Sequence, residues 1–236
     1  MRILDLFSGT GSIPKQVTEA DECVSVDISG DFHQPTILAD IMEWDYKSAF
    51  PVGHFDVIFA GVPCTEYSRL RDCCKTKPPD IEKANKVVLR TLEIINYFQP
   101  KFWYIENPDG GKLKDQAFMR DLPYHRVSYC MYGYDYRKTT RIWTNNTAFQ
   151  PKICVKGSCG KTSEGRHLAT IGRRKHTPLA QKYSYPPQLV RDLLESTRYQ
   201  IDLDPAPCPR DPASFSRVPV PVPDTTAHRN QEGLPS

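Results

Sequence analysis

Short, almost wholly apolar runs separated by polar, glycine-bearing stretches dominate the first 145 residues. Arg2-Ile-Leu-Asp-Leu-Phe7, residues 23–27, Phe55-Asp-Val-Ile-Phe-Ala60 and Phe102-Trp-Tyr-Ile105 each read as strands. Runs this apolar suit strands buried on both faces. A helix is predicted over about 13–20. A second follows Asp80, which can cap it, with Ile81, Ala84, Val88, Leu92, Ile95 and Phe98 at helical spacing. A short element leads to Ala39-Asp40-Ile41, and strands near 127–131 and 141–144 complete the pattern. Strands alternating with helices imply an α/β fold, a mostly parallel sheet with helices on both faces. Such sheets bind ligands at the carboxyl ends of their strands. The Gly9-Thr10-Gly11 loop, Asp27, Asp40, Pro63-Cys64 and Glu106 all follow predicted strands, so they are expected on one rim.

Composition adds boundaries to this picture. The 236 residues suit one full domain with an appendage, and 39% hydrophobic with 25% charged residues is an ordinary globular mixture. No apolar run approaches the ~18 residues of a membrane span, so no membrane role is expected. The first strand begins at Arg2, leaving no room for a signal peptide, and an intracellular location follows as an expectation. The eight cysteines are scattered, which fits free thiols in a reducing compartment. Net charge is only +3, but the charge is uneven: from Lys152 to Lys182 there are eight Lys or Arg against one Glu. From Pro205 to Ser236 there are eight prolines in 32 residues, read as a disordered tail with Val218-Pro-Val-Pro-Val-Pro223 as a possible docking segment for a protein partner. The predicted division is a catalytic and cofactor-binding core at 1–145, a basic insert at 146–181, a closing motif and helix at 182–203, and the tail at 204–236.

The rim residues carry chemistry. Gly9-Thr10-Gly11 lets the backbone turn tightly beside a ligand. Asp27 ends the next strand, where a carboxylate can bind ribose hydroxyls. The dinucleotide Gly-x-Gly-x-x-Gly pattern fails at Pro14, so a nucleoside without a pyrophosphate, such as S-adenosyl-L-methionine, fits better. Asp40 would reach its adenine amino group. Cys64 follows the central strand, near helix dipoles that can lower a thiol pKa and make a nucleophile. Glu106 ends the neighbouring strand and can donate a proton. A nucleophile, an acid and a nucleoside pocket are the equipment for adding to an electron-poor ring and alkylating it.

The ordered set Asp5-Leu-Phe-Ser-Gly-Thr-Gly11, Asp27, Asp40, Pro63-Cys64, Glu106-Asn107 and Thr140-Arg141-Ile142 resembles the cytosine-C5 DNA methyltransferase family, in the short form of bacteriophages and large DNA viruses. The likeness covers roughly residues 1–195, ending in Lys182-Tyr-Ser-Tyr-Pro-Pro-Gln-Leu-Val-Arg-Asp-Leu-Leu194. It implies a Rossmann-like S-adenosylmethionine-dependent methyltransferase fold with a much reduced target-recognition region. It also implies duplex DNA as substrate, a cytosine flipped from the helix, Cys64 attacking ring carbon 6, Glu106 on N3 and Arg141 on O2. Phe7, Ile28 and Ile41 would pack with Pro63 around the cofactor. If the chain is viral, the host nucleus or cytoplasm is the expected compartment. Val62, Thr65-Glu66-Tyr67-Ser68, Pro108 and Thr139 depart from the usual pattern, the last replacing the first motif arginine.

Arg69, Arg71, Lys75 and Lys77 are expected on DNA phosphates after Cys64, as are Arg173, Arg174 and Lys175 in the insert. The 35 residues from Asn146 to Ala180 leave little room for base reading, so a short target such as CpG is expected. Cys154, Cys159 and His167 are zinc candidates, with a fourth ligand such as His176, although a small loop with free thiols fits the Cys-x4-Cys spacing as well. An RNA cytosine-C5 methyltransferase acting on tRNA and a catalytically weak DNA-binding module are the alternative readings.

Overall fold

The apolar runs do become parallel strands packed from both sides. The computed structural model describes residues 1–73, 76–163, 166–169 and 178–203. Strands β1 (Arg2–Leu6), β2 (Glu22–Asp27), β3 (Ile37–Leu38), β4 (Val57–Gly61), β5 (Phe102–Pro108), β6 (Tyr124–Ser128) and β7 (Thr139–Thr144) form one sheet in the order β3-β2-β1-β4-β5-β7-β6. All neighbours are parallel except β5/β7 and β6/β7. A hairpin of β8 (Thr162–Ser163) and β9 (Arg166–His167) stands apart.

Period-two alternation sends Leu4, Leu6, Ile58, Ala60, Trp103 and Ile105 to one face, and Ile3, Val57, Phe59 and Tyr104 to the other. Helix α2 (Ile81–Phe98) covers the first face through Ala84, Val88, Leu92, Ile95 and Phe98. Its predicted cap is present, with Asp80 Oδ1 accepting from Lys83 N at 2.9 Å. The chain leaves the helix through Gln99 in the left-handed region, just before Pro100. Three short helices, α1 (Tyr46–Ala49), α3 (Ala117–Arg120) and α4 (Leu179–Tyr183), lie between the main elements.

The second face departs from expectation. The helix predicted over 13–20 is only a single 3-10 turn, Pro14–Gln16. Asp21 Oδ2 draws the Thr18 N–H and hydroxyl at 2.9 and 2.8 Å into a local turn that stops propagation. Helix α5 (Pro187–Leu203) from the far end of the chain covers this face instead, burying Leu189, Val190, Leu193 and Leu194 against Ile3, Ile13 and Phe59. It is fastened there by Arg191 on Gln16, 2.7 Å, and by Arg198 on Asp21. Helix α5 is therefore part of the core layer. The strand predicted near 127–131 lies three residues earlier and runs into a 3-10 turn at Tyr129–Tyr132. Among the described residues no helix is long and apolar enough to cross a membrane. The proline-rich segment 204–236 lies outside the described residues.

Candidate active site

The rim at the carboxyl ends of β1, β2, β4 and β5 is where the sheet brings the chemistry together. Phe7, just past β1, adopts φ 60°, and the chain turns so that Gly9 N donates to Asp27 Oδ2 at 2.7 Å. Gly11 sits at φ +66°, and a Cβ there would lie 2.6 Å from the His33 ring. Asp27 Oδ1 also accepts from Ser29 N at 2.9 Å, while Ile28 beside it is 67% exposed. Asp40 is half-buried and accepts from Met42 N. Ile41, expected at the cofactor, buries its side chain in the α2-side core with Trp44 and Tyr46.

Asp5 occupies the last inward-facing position on the α5 side of β1. It is buried, its Oδ2 has no hydrogen-bond partner, and burial pushes its carboxyl from 3.8 up to about 7, the nearby Ser8 hydroxyl pulling it back and the Asp27 charge adding. Between these values the folded chain keeps a proton that the unfolded chain has released, so stability falls as pH rises. Urea unfolding should show a loss from this group of roughly 3 kcal/mol between about pH 5 and pH 8. The loss should disappear in Asp5→Asn; an unchanged slope would show that Asp5 is not its source.

Gly61 ends β4 directly opposite Glu106 of β5. A Cβ at Gly61 would come within 2.3 Å of the Tyr185 hydroxyl, so glycine is what admits that ring. Tyr185 comes from the closing segment, anchored by its N–H on Ser12 Oγ at 3.0 Å. Its hydroxyl donates to Glu106 Oε2 at 3.4 Å. On the other oxygen, Oε1, Tyr129 Oη donates at 3.3 Å, Thr140 Oγ1 at 3.1 Å, and Lys138 Nζ stands at 3.6 Å. Burial first, then the Glu106 charge, holds both phenols well above their ordinary pKa, so both remain donors. No sequence signal marks Tyr129 or Lys138, and Thr140 and Tyr185 stand out only as members of the arginine and closing motifs, without a role.

Cys64 lies three residues past Gly61 and is half-buried. Its thiol is not lowered, as helix dipoles had suggested. Burial pushes it up, the Glu106 carboxylate adds to this, and Lys138 pulls it down. No fixed positive end outweighs the nearby carboxylate. In the free protein, Glu106→Gln should therefore speed iodoacetamide alkylation of Cys64 at pH 8 by about three- to tenfold. An equal or slower rate would remove Glu106 from the thiol's surroundings.

Arg141 is not brought to this cluster. In the antiparallel register Glu106 faces Ile142 and Asn107 faces Arg141, so Thr140 shares the Glu106 face and Arg141 takes the opposite one. Its Nε and Nη2 each lie 3.0 Å from Asp109 Oδ1, and its guanidinium stacks 3.8 Å from the Tyr124 ring centroid. Asn107 on that face donates to Val62 O at 3.0 Å and fixes the segment entering Pro63-Cys64.

Among the loop cations, Arg69 and Lys77 are exposed. Arg71, expected on phosphate, is occupied at home. It donates to Glu66 Oε1 at 3.1 Å and to the carbonyls of Lys77 and Pro78, because Glu66 stands where a carboxylate can pin the loop to the start of α2. A cleft of about 350 Å3 between this loop and α2 is lined by Pro63, Thr65, Glu66, Arg71, Ala84 and Val88. Lys75, Arg173, Arg174, Lys175 and His176 lie outside the described residues. Cys154, Cys159 and His167 do meet, and Cys130 joins them.

A mostly parallel sheet in this order, with its last two pairings antiparallel and a thiol and carboxylate on neighbouring strand ends, has the Rossmann-like architecture of a methyltransferase. Residues 1–119 match the family profile described as C-5 cytosine-specific DNA methylase. A Frog virus 3 (isolate Goorha) protein named "Probable DNA (cytosine-5)-methyltransferase" is 38% identical over 218 aligned residues, covering 83% of this chain and 99% of that protein. The chain belongs to the C-5 cytosine-specific DNA methylase family. Two solved structures are also similar. One is a prophage-encoded E. coli protein described as a DNA modification methyltransferase, with TM-score 0.48, 15% identity and 83% and 69% of the two chains covered. The other is the Entamoeba histolytica methyltransferase EhMeth, with TM-score 0.46, 17% identity and 66% and 56% covered.

Proposed function

We propose that this chain transfers a methyl group from S-adenosylmethionine to carbon 5 of cytosine in duplex DNA, through a covalent adduct with Cys64, at a short target such as CpG. The observation that carries the reading is the placement of Cys64 three residues beyond the strand position paired with Glu106, whose carboxylate is ringed by two phenols, a threonine and a lysine. The rim suits the cofactor. Asp27 offers a carboxylate at the end of β2, Ile28 offers an open apolar side chain, and the buried, unpaired Asp5 oxygen is a cost that a polar ligand can offset. Asp27 and Asp40 would hold the nucleoside, with Phe7 and Pro63 against it. When bound, S-adenosylmethionine supplies an electrophilic methyl group on a cationic sulfur.

The chain's own residues would act on the base. Cys64 would give up its thiol proton to solvent as its sulfur bonds to carbon 6 of a cytosine flipped into the pocket. Glu106, taking up a proton as the base arrives, would donate it in a hydrogen bond to N3 as negative charge develops there. That addition would make carbon 5 electron-rich enough to accept the methyl group. Loss of the carbon 5 proton and expulsion of the Cys64 thiolate then complete the cycle. Tyr129, Tyr185 and Thr140 fix the Glu106 carboxylate so that it meets the base without reorganising. Lys138, on the Glu106 face, takes the place by the base that the motif had suggested for Arg141. Arg69 and Lys77 are free to meet phosphates.

Duplex DNA carrying 5-fluorocytosine tests this, because fluorine cannot leave as a proton. A denaturation-resistant protein–DNA adduct that needs S-adenosylmethionine is the expected result, with none on tRNA carrying the same base. No adduct from folded, cofactor-binding protein would reject the reading, and an adduct on tRNA alone would move the substrate to RNA. Sequencing of methylated plasmid should show a target of no more than about two or three defined bases.

A further inference from the structure

Between residues 151 and 169 the described part of the basic insert buries little apolar surface. Among the described residues from 151 to 169, only Cys154 is buried, while Val155 and Leu168 are 62% and 66% exposed. Segments this small generally need a disulfide or a metal to take one shape. Three of its polar side chains nevertheless converge on a fourth from the core. Cys130, Cys154, Cys159 and His167 present their Sγ and imidazole nitrogen atoms all within 4.8 Å of one another.

The distances match a single ion. For metal–sulfur and metal–nitrogen bonds of about 2.3 and 2.0–2.1 Å, tetrahedral geometry puts S···N near 3.6 Å and S···S near 3.8 Å. His167 Nε2 lies 3.5 Å from Cys154 Sγ and 3.4 Å from Cys159 Sγ. The Cys-x4-Cys loop turns through Lys156 and Gly157 at φ 48° and 81°, and Lys161 N–H donates to Cys159 Sγ at 3.4 Å, a contact that steadies a thiolate ligand. His167 is presented by the β8/β9 hairpin, where it pairs with Thr162.

We propose that Cys130, Cys154, Cys159 and His167 bind one zinc ion that fastens the insert to the wall of the active site. Three thiolates and an imidazole are a donor set for zinc, and four protein ligands close the coordination sphere, so the ion is structural. On binding, each thiol gives up its proton to solvent and the imidazole ligates in its neutral form. The attachment point gives the site its consequence. Cys130 directly follows Tyr129, whose hydroxyl contacts Glu106 and whose N–H bonds Lys138 O at 3.0 Å. Lys161 reaches from the insert to Gly133 and, at 3.1 Å, to Asp135. Zinc therefore couples the order of the insert to the residues that position Glu106, whether or not the methylation reading holds.

The full chain, purified under reducing conditions from zinc-supplemented medium, is expected to carry about one zinc per molecule, against less than about one-tenth in Cys159→Ser and His167→Ala, with Cys73→Ser unaffected. Replacing zinc by Co2+ should give intense sulfur-to-cobalt charge-transfer bands in the wild type, a readout that needs no variant to fold. Adding zinc to metal-free protein should slow amide exchange in residues 154–169. A metal-free wild type that gives no cobalt bands would overturn the proposal, as would a disulfide between any two of Cys130, Cys154 and Cys159 in the reduced preparation.

Discussion

Cys64→Ala is expected to lower methyl transfer to duplex DNA by a factor on the order of 10^4 or more, with the fold and S-adenosylmethionine binding unchanged. The size follows from the chemistry. Without a bond at carbon 6, carbon 5 of cytosine is too electron-poor to accept a methyl group. The position tolerates the change because Cys64 is only half-buried on a loop outside both apolar layers. Burial and Glu106 keep its thiol protonated at rest, with Lys138 opposing them, so the thiolate is formed as the base arrives. Single-turnover transfer of labelled methyl, with thermal melts and cofactor titration alongside, measures each part. If the variant kept a tenth of wild-type turnover, Cys64 would not be the nucleophile.

The parts of this molecule that could be read from its residues are those where one local pattern decides the outcome. Strands β1, β2, β4 and β5 are runs that only a doubly covered sheet can bury, and α2 carries both a cap and a full apolar stripe. The rim followed, because strand ends in a parallel sheet lie together whatever the loops do. The failures share a different cause. The helix over 13–20 lost to Asp21, whose partner Arg198 lies 177 residues away. Arg71 is held by Glu66 and two carbonyls that only the folded loop brings near. Arg141 is a matter of parity: shifting the β5/β7 register by one residue would exchange its face with that of Thr140, and nothing in the hexapeptide fixes that register. Cys130 is the same kind of case, since it reaches the insert only because β6 ends in a 3-10 turn.

The parity of β7 separates two basic residues that a motif reading treats as one. Lys138→Met is expected to cut turnover by about 100-fold, because its ammonium lies 3.6 Å from Glu106 and over the Tyr129 ring at 4.7 Å. It should cost less stability than Arg141→Met, because Glu106 keeps the Tyr129, Tyr185 and Thr140 hydroxyls as donors. Arg141→Met should instead act on the fold. It leaves Asp109 with only Arg126 at 3.0 Å, and loss of a largely buried ion-pair partner costs on the order of 2–4 kcal/mol. Turnover in the Arg141 variant, measured at a temperature where it remains folded, should stay within about fivefold of wild type. The Lys138 variant should also alkylate more slowly at Cys64, since the cation that lowers the thiol is gone. The reverse pattern, a stable Arg141 variant without activity beside an active Lys138 variant, would mean that DNA binding swings Arg141 off Asp109 and onto the base.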